Sequence, residues 1–120
     1  MKTAIVLFCL TTCAETLSSA ERLTIRVSPA MTVAPAFVRV EAIVERDAGN
    51  RALRITAESD TFYRSSEIQL DGANGPLVSV LDFQSLPTGT YQVTGILLGT
   101  GGQRAAATKV VRVQPSPGAR

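Results

Sequence analysis

Glu58 and Asp60 flank Ser59, and Asp71 is followed downstream by Asp82. Paired carboxylates are the machinery of glycoside hydrolysis, one serving as acid and the other as base or nucleophile. Such sites also want aromatic platforms for the sugar, and Phe62 and Tyr63 are nearly all this chain offers. The four acids therefore read more simply as solvated charges on turns and strand faces. Asp71-Gly72-Ala73-Asn74-Gly75 presents the hard oxygens that calcium prefers, but it is poor in carboxylates, and a tight Asp-Gly turn accounts for it. A serine–lysine dyad would need Lys109, whose place beside the last strand reads as solvated. Gly99-Thr100-Gly101-Gly102 precedes a strand and not a helix, so it reads as a hairpin turn, not a phosphate loop. The chain contains no histidine, and its two cysteines are Cys9 and Cys13. Ser-His-Asp and Cys-His arrangements are excluded, and nitrogen and thiolate metal ligands are missing from the body of the chain. The expectation is a protein that is not an enzyme and takes no metal and no cofactor.

One segment is less bland. Ser59-Asp60-Thr61-Phe62-Tyr63-Arg64-Ser65-Ser66 sets an aromatic pair beside an arginine, and it reads as the connection between two strands. Connections carry binding groups more often than scaffolds do. Phe62, Tyr63 and Arg64 are residue types enriched at interface hot spots. The plainer account is that one aromatic plugs the edge of the fold and Arg64 is solvated. If the chain has a partner site, this segment is where it is expected.

The elements that must hold these residues are short strands. Leu23–Val27, Val38–Glu45, Leu53–Glu58 and Glu67–Asp71 alternate apolar and polar residues, the period that buries one face of a strand. Leu77–Phe83 is more continuously apolar, which implies cover on both faces or a bulge. Tyr91–Leu97 and Val110–Val113 complete the set. Turn signals separate them at Ser28-Pro29, Asp47–Asn50, Asp71–Pro76, Pro87–Gly89 and Gly99–Gly102. Seven short strands at this spacing predict an all-β, antiparallel sandwich over residues 21–114, with a flexible tail at 115–120.

Leu86-Pro87-Thr88-Gly89-Thr90-Tyr91-Gln92-Val93 is the most specific string in the chain. It resembles the corner of immunoglobulin-like and fibronectin type III domains, where a Leu ends one strand, a Pro/Gly turn follows and a Tyr opens the next. The resemblance implies a seven-stranded immunoglobulin-like sandwich in which Leu86, Pro87 and Gly89 shape the corner. It also implies that Tyr91 is buried with its hydroxyl bonded back to the corner backbone. The chain has no tryptophan, and Val93 stands where an immunoglobulin domain has its second cysteine. The likeness is thus to the sandwich in the broad sense. A transthyretin-like sandwich, which carries a similar string, is the alternative topology.

The N-terminus reads as a targeting segment. Lys2 precedes the apolar run Ala4–Leu10, and small residues close the segment at Ser18-Ser19-Ala20, the pattern of a secretory signal peptide over residues 1–20. Cleavage after Ala14 is a second option, and lipidation at Cys13 within Leu10-Thr11-Thr12-Cys13 is the weaker third. The run is too short to span a bilayer. A formal charge of +2 gives no footing for nucleic acid. Together these point to a secreted or periplasmic binding or assembly module with an extracytoplasmic protein partner, no nucleic acid and no membrane span. The alternative is a small carbohydrate-binding or adhesion module.

Overall fold

A computed structural model describes residues 22–117. Its strands are β1 (Leu23–Ser28), β2 (Met31–Val33), β3 (Ala36–Val44), β4 (Ala52–Glu58), β5 (Tyr63–Gln69), β6 (Val78–Leu86), β7 (Gly89–Gly99) and β8 (Gly102–Gln114). A 3₁₀ turn at Gly72–Asn74 lies between β5 and β6. The strands form two sheets, one in the order β1-β3-β6 and the other in the order β2-β8-β7-β4-β5. Every neighbouring pair is antiparallel except β2 and β8, which run parallel. The β1-β3-β6 and β8-β7-β4 sets reproduce the A-B-E and G-F-C pairings of an immunoglobulin-like sandwich.

Alternation in the sequence becomes the two faces of each sheet. In β3, Ala36, Val38, Val40, Ala42 and Val44 are buried, while Phe37 and Arg39 point outward. From the other sheet Leu53, Ile55, Ala57, Tyr91, Val93, Leu97 and Val111 meet them in one continuous core. Each large aliphatic side chain so buried contributes roughly 1.5–3 kcal/mol. Gly95 lets the sheets close in the middle: a Cβ there would run into Ile25 Cδ1 and lie 3.3 Å from Ile55 Cδ1.

One end of the sandwich is tied by a polar network. The buried Asn50 donates from Nδ2 to the Glu45 carbonyl at 2.9 Å and accepts at Oδ1 from Arg104 Nη1 at 2.6 Å. Arg104 also pairs with Asp47 at 3.1 Å. Asp47 in turn accepts from the Gly49 N–H at 2.7 Å. This N–H, ahead of Arg104, holds the Asp47 carboxyl below the usual range.

The sandwich and its turns follow the sequence pattern, with four departures. There are eight strands among the described residues, not seven. The added β2 is three residues long and too short to show a period. Tyr63–Ser66 is not a connection: β5 begins at Tyr63, and only Ser59–Phe62 turns the chain. The apolar run of β6 is not covered on its outer face, where Val78 and Val80 are exposed. Its bulge falls later, where Ala36 and Val38 of β3 face Leu86 and Phe83, and Ser85 takes a φ of 60°. Finally, β8 reaches from Gly102 to Gln114, far beyond Val110–Val113. Its first half, Ala105-Ala106-Ala107-Thr108, has too little contrast in polarity to reveal a strand.

No helix among the described residues is long and apolar enough to cross a membrane. The targeting segment, with Cys9, Cys13, Ala14, Ser18 and Ala20, lies outside the described residues, as does the end of the tail.

Candidate functional site

The β6–β7 corner and the β4–β5 hairpin meet at one end of the sandwich. Leu86 ends β6 with its side chain buried, and Pro87 and Thr88 turn the chain. Tyr91 then enters the core with no exposed surface. Its hydroxyl donates to the Pro87 carbonyl at 2.7 Å. The ring brings apolar area, and the hydroxyl satisfies a backbone acceptor at the crossover. Burial pushes the Tyr91 phenol upward, with Ser59 and Arg64 opposing. Gly89 eases a close approach, since a Cβ there would stand 3.3 Å from the Ser59 side chain, which would have to give way.

The hairpin closes when the Ser59 N–H donates to the Phe62 carbonyl at 2.8 Å, leaving Asp60 and Thr61 at the tip. Phe62 faces inward. Its ring meets Tyr91 edge-on, with centroids 5.9 Å apart and planes at 73°. Arg64 shares that face of β5 but stays exposed at the edge. Its guanidinium lies 5.1 Å from the Phe62 ring centroid and donates from Nη1 to the Gln84 carbonyl at 3.1 Å. Tyr63 alternates with them and stands outward, 63% exposed. The segment expected to bind is therefore divided. Phe62 packs against the core, Arg64 bridges to the other sheet from an exposed position, and Tyr63 stands outward with its ring unpartnered by either contact.

Beside Tyr63 opens a cavity of about 640 Å³ lined by Glu58, Ser59, Asp60, Thr61, Thr88, Gly89, Thr90 and Gln92. Glu58 pairs in register with Tyr63 on one side and Gln92 on the other, so the three form a row across the outer face of the five-stranded sheet. The lining is carboxylate, hydroxyl and amide, suited to ligands that exchange hydrogen bonds. Of the expected acid pairs, Glu58 and Asp60 come to this one cavity. Asp82 instead lies on the outer face of β6 in a two-bond pair with Arg39, at 2.9 and 3.3 Å. That arginine holds its carboxyl below the usual range. Asp71 precedes the 3₁₀ turn, and its side chain makes no cap there. Among the described residues no three of His, Cys, Asp or Glu stand together as a metal-binding group. Lys109 is exposed on β8. Thr88, Thr90 and Gln92 carry no signal of a site in the sequence, because only the fold brings them to the hairpin.

No family model matches the chain, and no curated protein matches it in sequence. Solved structures do resemble it. Superoxide reductase (neelaredoxin) from Ignicoccus hospitalis aligns at a TM-score of 0.61 and 11% identity, over 77% of this chain and 80% of that one. A CARDB domain from Pyrococcus furiosus, solved in complex with di-metal ions, aligns at 0.47 and 16% identity, over 78% and 94%. Murine CRIg aligns at 0.42 and 11% identity, over 79% and 98%. The last two likenesses are too distant to weigh. The first is a likeness of fold alone, yet it corrects one expectation. A sandwich of this arrangement houses an enzyme, so the expectation that the chain is not an enzyme does not stand.

Proposed function

We propose that this protein is an extracytoplasmic binding or assembly module whose contact surface is the end built by the β4–β5 hairpin and the β6–β7 corner. The observation that carries the reading is Tyr63, an exposed aromatic on a strand edge beside an open polar cavity. Tyrosine supplies large, rigid contact area with a polar tip, and buried tyrosines often dominate protein interfaces. Phe62, packed on Tyr91, and Arg64, tied to Gln84, would keep the platform in place at little entropic cost on binding. Export rests on the charge, apolar and small-residue order of residues 1–20. Within the immunoglobulin-like class, a fibronectin type III-like arrangement is the finer reading. It is supported by the Leu86–Tyr91 corner and by β5 extending the sheet of β4.

The test is crosslinking of the protein in the envelope and medium of its source, with Tyr63→Ala and Thr94→Ala compared. A single dominant partner lost only with Tyr63→Ala supports the reading. A partner retained in full by Tyr63→Ala refutes this end as the contact. N-terminal sequencing of the exported chain decides between a start at Glu21, a start at Glu15 and a lipidated Cys13.

A sugar ligand is the second reading. The row of Tyr63, Glu58 and Gln92 sets an aromatic face beside two planar polar side chains. A glycan array on which binding disappears with Gln92→Ala would favour it over a protein partner.

A further inference from the structure

β6 ends the three-stranded sheet, and its hydrogen bonds to β3 have a phase that can be read directly. The Val44 N–H donates to the Leu77 carbonyl at 2.9 Å, so Val44 and Leu77 are a hydrogen-bonded pair. Antiparallel ladders alternate such pairs with non-bonded ones. In the observed register Ala42 faces Ser79, Val40 faces Leu81 and Val38 faces Phe83 as the next bonded pairs. The N–H and C=O of Val78, Val80 and Asp82 therefore point away from β3, toward the free edge. Arg64 confirms the phase, because it reaches Gln84, the next residue of that set, and caps its carbonyl.

The free edge is thus a template with defined ends. Pro76 lies just before it, and the capped Gln84 and bulged Ser85 lie just after. Between them Val78 and Val80 are 47% and 50% exposed, with Leu77 at 47% beside them. The edge across the opening is different. There the Leu70 N–H donates to the Arg51 carbonyl, so the outward set on β5 is Tyr63, Ser65, Glu67 and Gln69, polar and charged. Proteins guard sheet edges with charge, and β6 carries no Lys or Arg at all.

We propose that β6 accepts an antiparallel strand from a partner chain, whose residues opposite Asp82, Val80 and Val78 are basic, apolar and apolar. The two apolar residues cover Val80 and Val78 on the outer face. The basic residue meets Asp82, whose carboxylate keeps acceptor capacity beyond its bonds to Arg39. In this register the three partner residues also turn their own N–H and C=O groups to the edge, so main-chain bonds give affinity and side chains give selection. A second copy of the chain is the poorer occupant. Its β6 would bring Asp82 against Val80 or Val78, a carboxylate set against an apolar side chain. This surface is separate from the Tyr63 end, and Tyr63→Ala leaves it intact.

The probe is the capped heptapeptide Thr-Lys-Thr-Val-Thr-Val-Thr, added to the protein at millimolar concentration while amide hydrogen exchange is followed residue by residue. The expected result is that the Val78, Val80 and Asp82 amides, fast without peptide, slow at least tenfold with it. Those of Ser79 and Leu81 are slow throughout. N-methylation of the first peptide valine abolishes the effect, and N-methylation of the threonine after it does not. Val80→Lys, at an exposed position, abolishes it as well. If that variant fails to fold, the two methylated peptides on the unaltered protein still decide. Unchanged exchange at all three amides overturns the proposal. So does equal binding of both methylated peptides, or slow exchange that grows with protein concentration alone, which would make a second copy the occupant.

Discussion

The Tyr91 hydroxyl lies 2.7 Å from the Pro87 carbonyl and donates to it, four residues back along the chain, from a ring with no exposed surface. One side chain thereby fixes the β6–β7 crossover and floors the end of the sandwich where Phe62 and Ser59 sit. Tyr91→Phe keeps the ring and strands the carbonyl. The expected loss is about 1–2 kcal/mol of stability, read as a lower denaturation midpoint. An unchanged midpoint would mean that water satisfies Pro87 equally well.

The same group makes stability sensitive to alkali. Burial raises the Tyr91 phenol above its ordinary value, whereas an unfolded tyrosine ionises near ~10. Above that pH the unfolded chain releases the proton first, so stability present below it falls as pH rises toward the folded value. Denaturant midpoints should decline more steeply between pH 9 and 11 in the parent than in Tyr91→Phe, with about 9 and 11 chosen to bracket the free phenol. Parallel curves would contradict this.

Asn50 is predicted to matter as much at the opposite end. Asn50→Ala removes the donor to Glu45 and the acceptor for Arg104 from a buried site. About 1–3 kcal/mol should be lost for a buried group left unpaired. Thermal melts of Asn50→Ala beside Arg104→Ala, with the double variant, would show strong non-additivity if the two act as one network.

Gly95→Ala should be destabilising through the core and not through backbone freedom. The added methyl meets Ile25 and Ile55 between the sheets, and overpacking costs about 1–3 kcal/mol. Ile25→Val in the same chain should recover part of the loss. No recovery would place the cost elsewhere.

What the sequence made legible was local. The corner at Leu86–Tyr91 is contiguous, so its turn residues and its aromatic announce one another. Strong alternation at Val38–Val44 and Leu53–Ala57 placed two central strands. What stayed hidden depends on neighbours far along the chain. Leu77–Phe83 read as doubly covered or bulged, because apolar content does not reveal that a strand is last in its sheet. Tyr63 and Arg64 read alike, yet a one-residue step on β5 turns one to solvent and the other to Gln84. The cavity joins Asp60 and Thr61 to Thr88 and Thr90 across two intervening strands' worth of sequence, and nothing in either segment signals the other.

The parallel pairing of β2 with β8 has a mechanical side. Met31–Val33 run beside Arg112–Gln114 in the same direction, and the Ala34 and Arg112 N–H groups extend the ladder to Gln114 and Ala30. Tension applied between the chain entering β2 and the chain leaving β8 would slide these strands lengthwise past each other. The bonds would then share the load and break together, not one after another as in an unzipping hairpin. A module held at one end and tugged at the other would load this short ladder, and because Arg112 and Val113 also pair with Thr90 and Gly89, the load would reach the strand that lines the cavity.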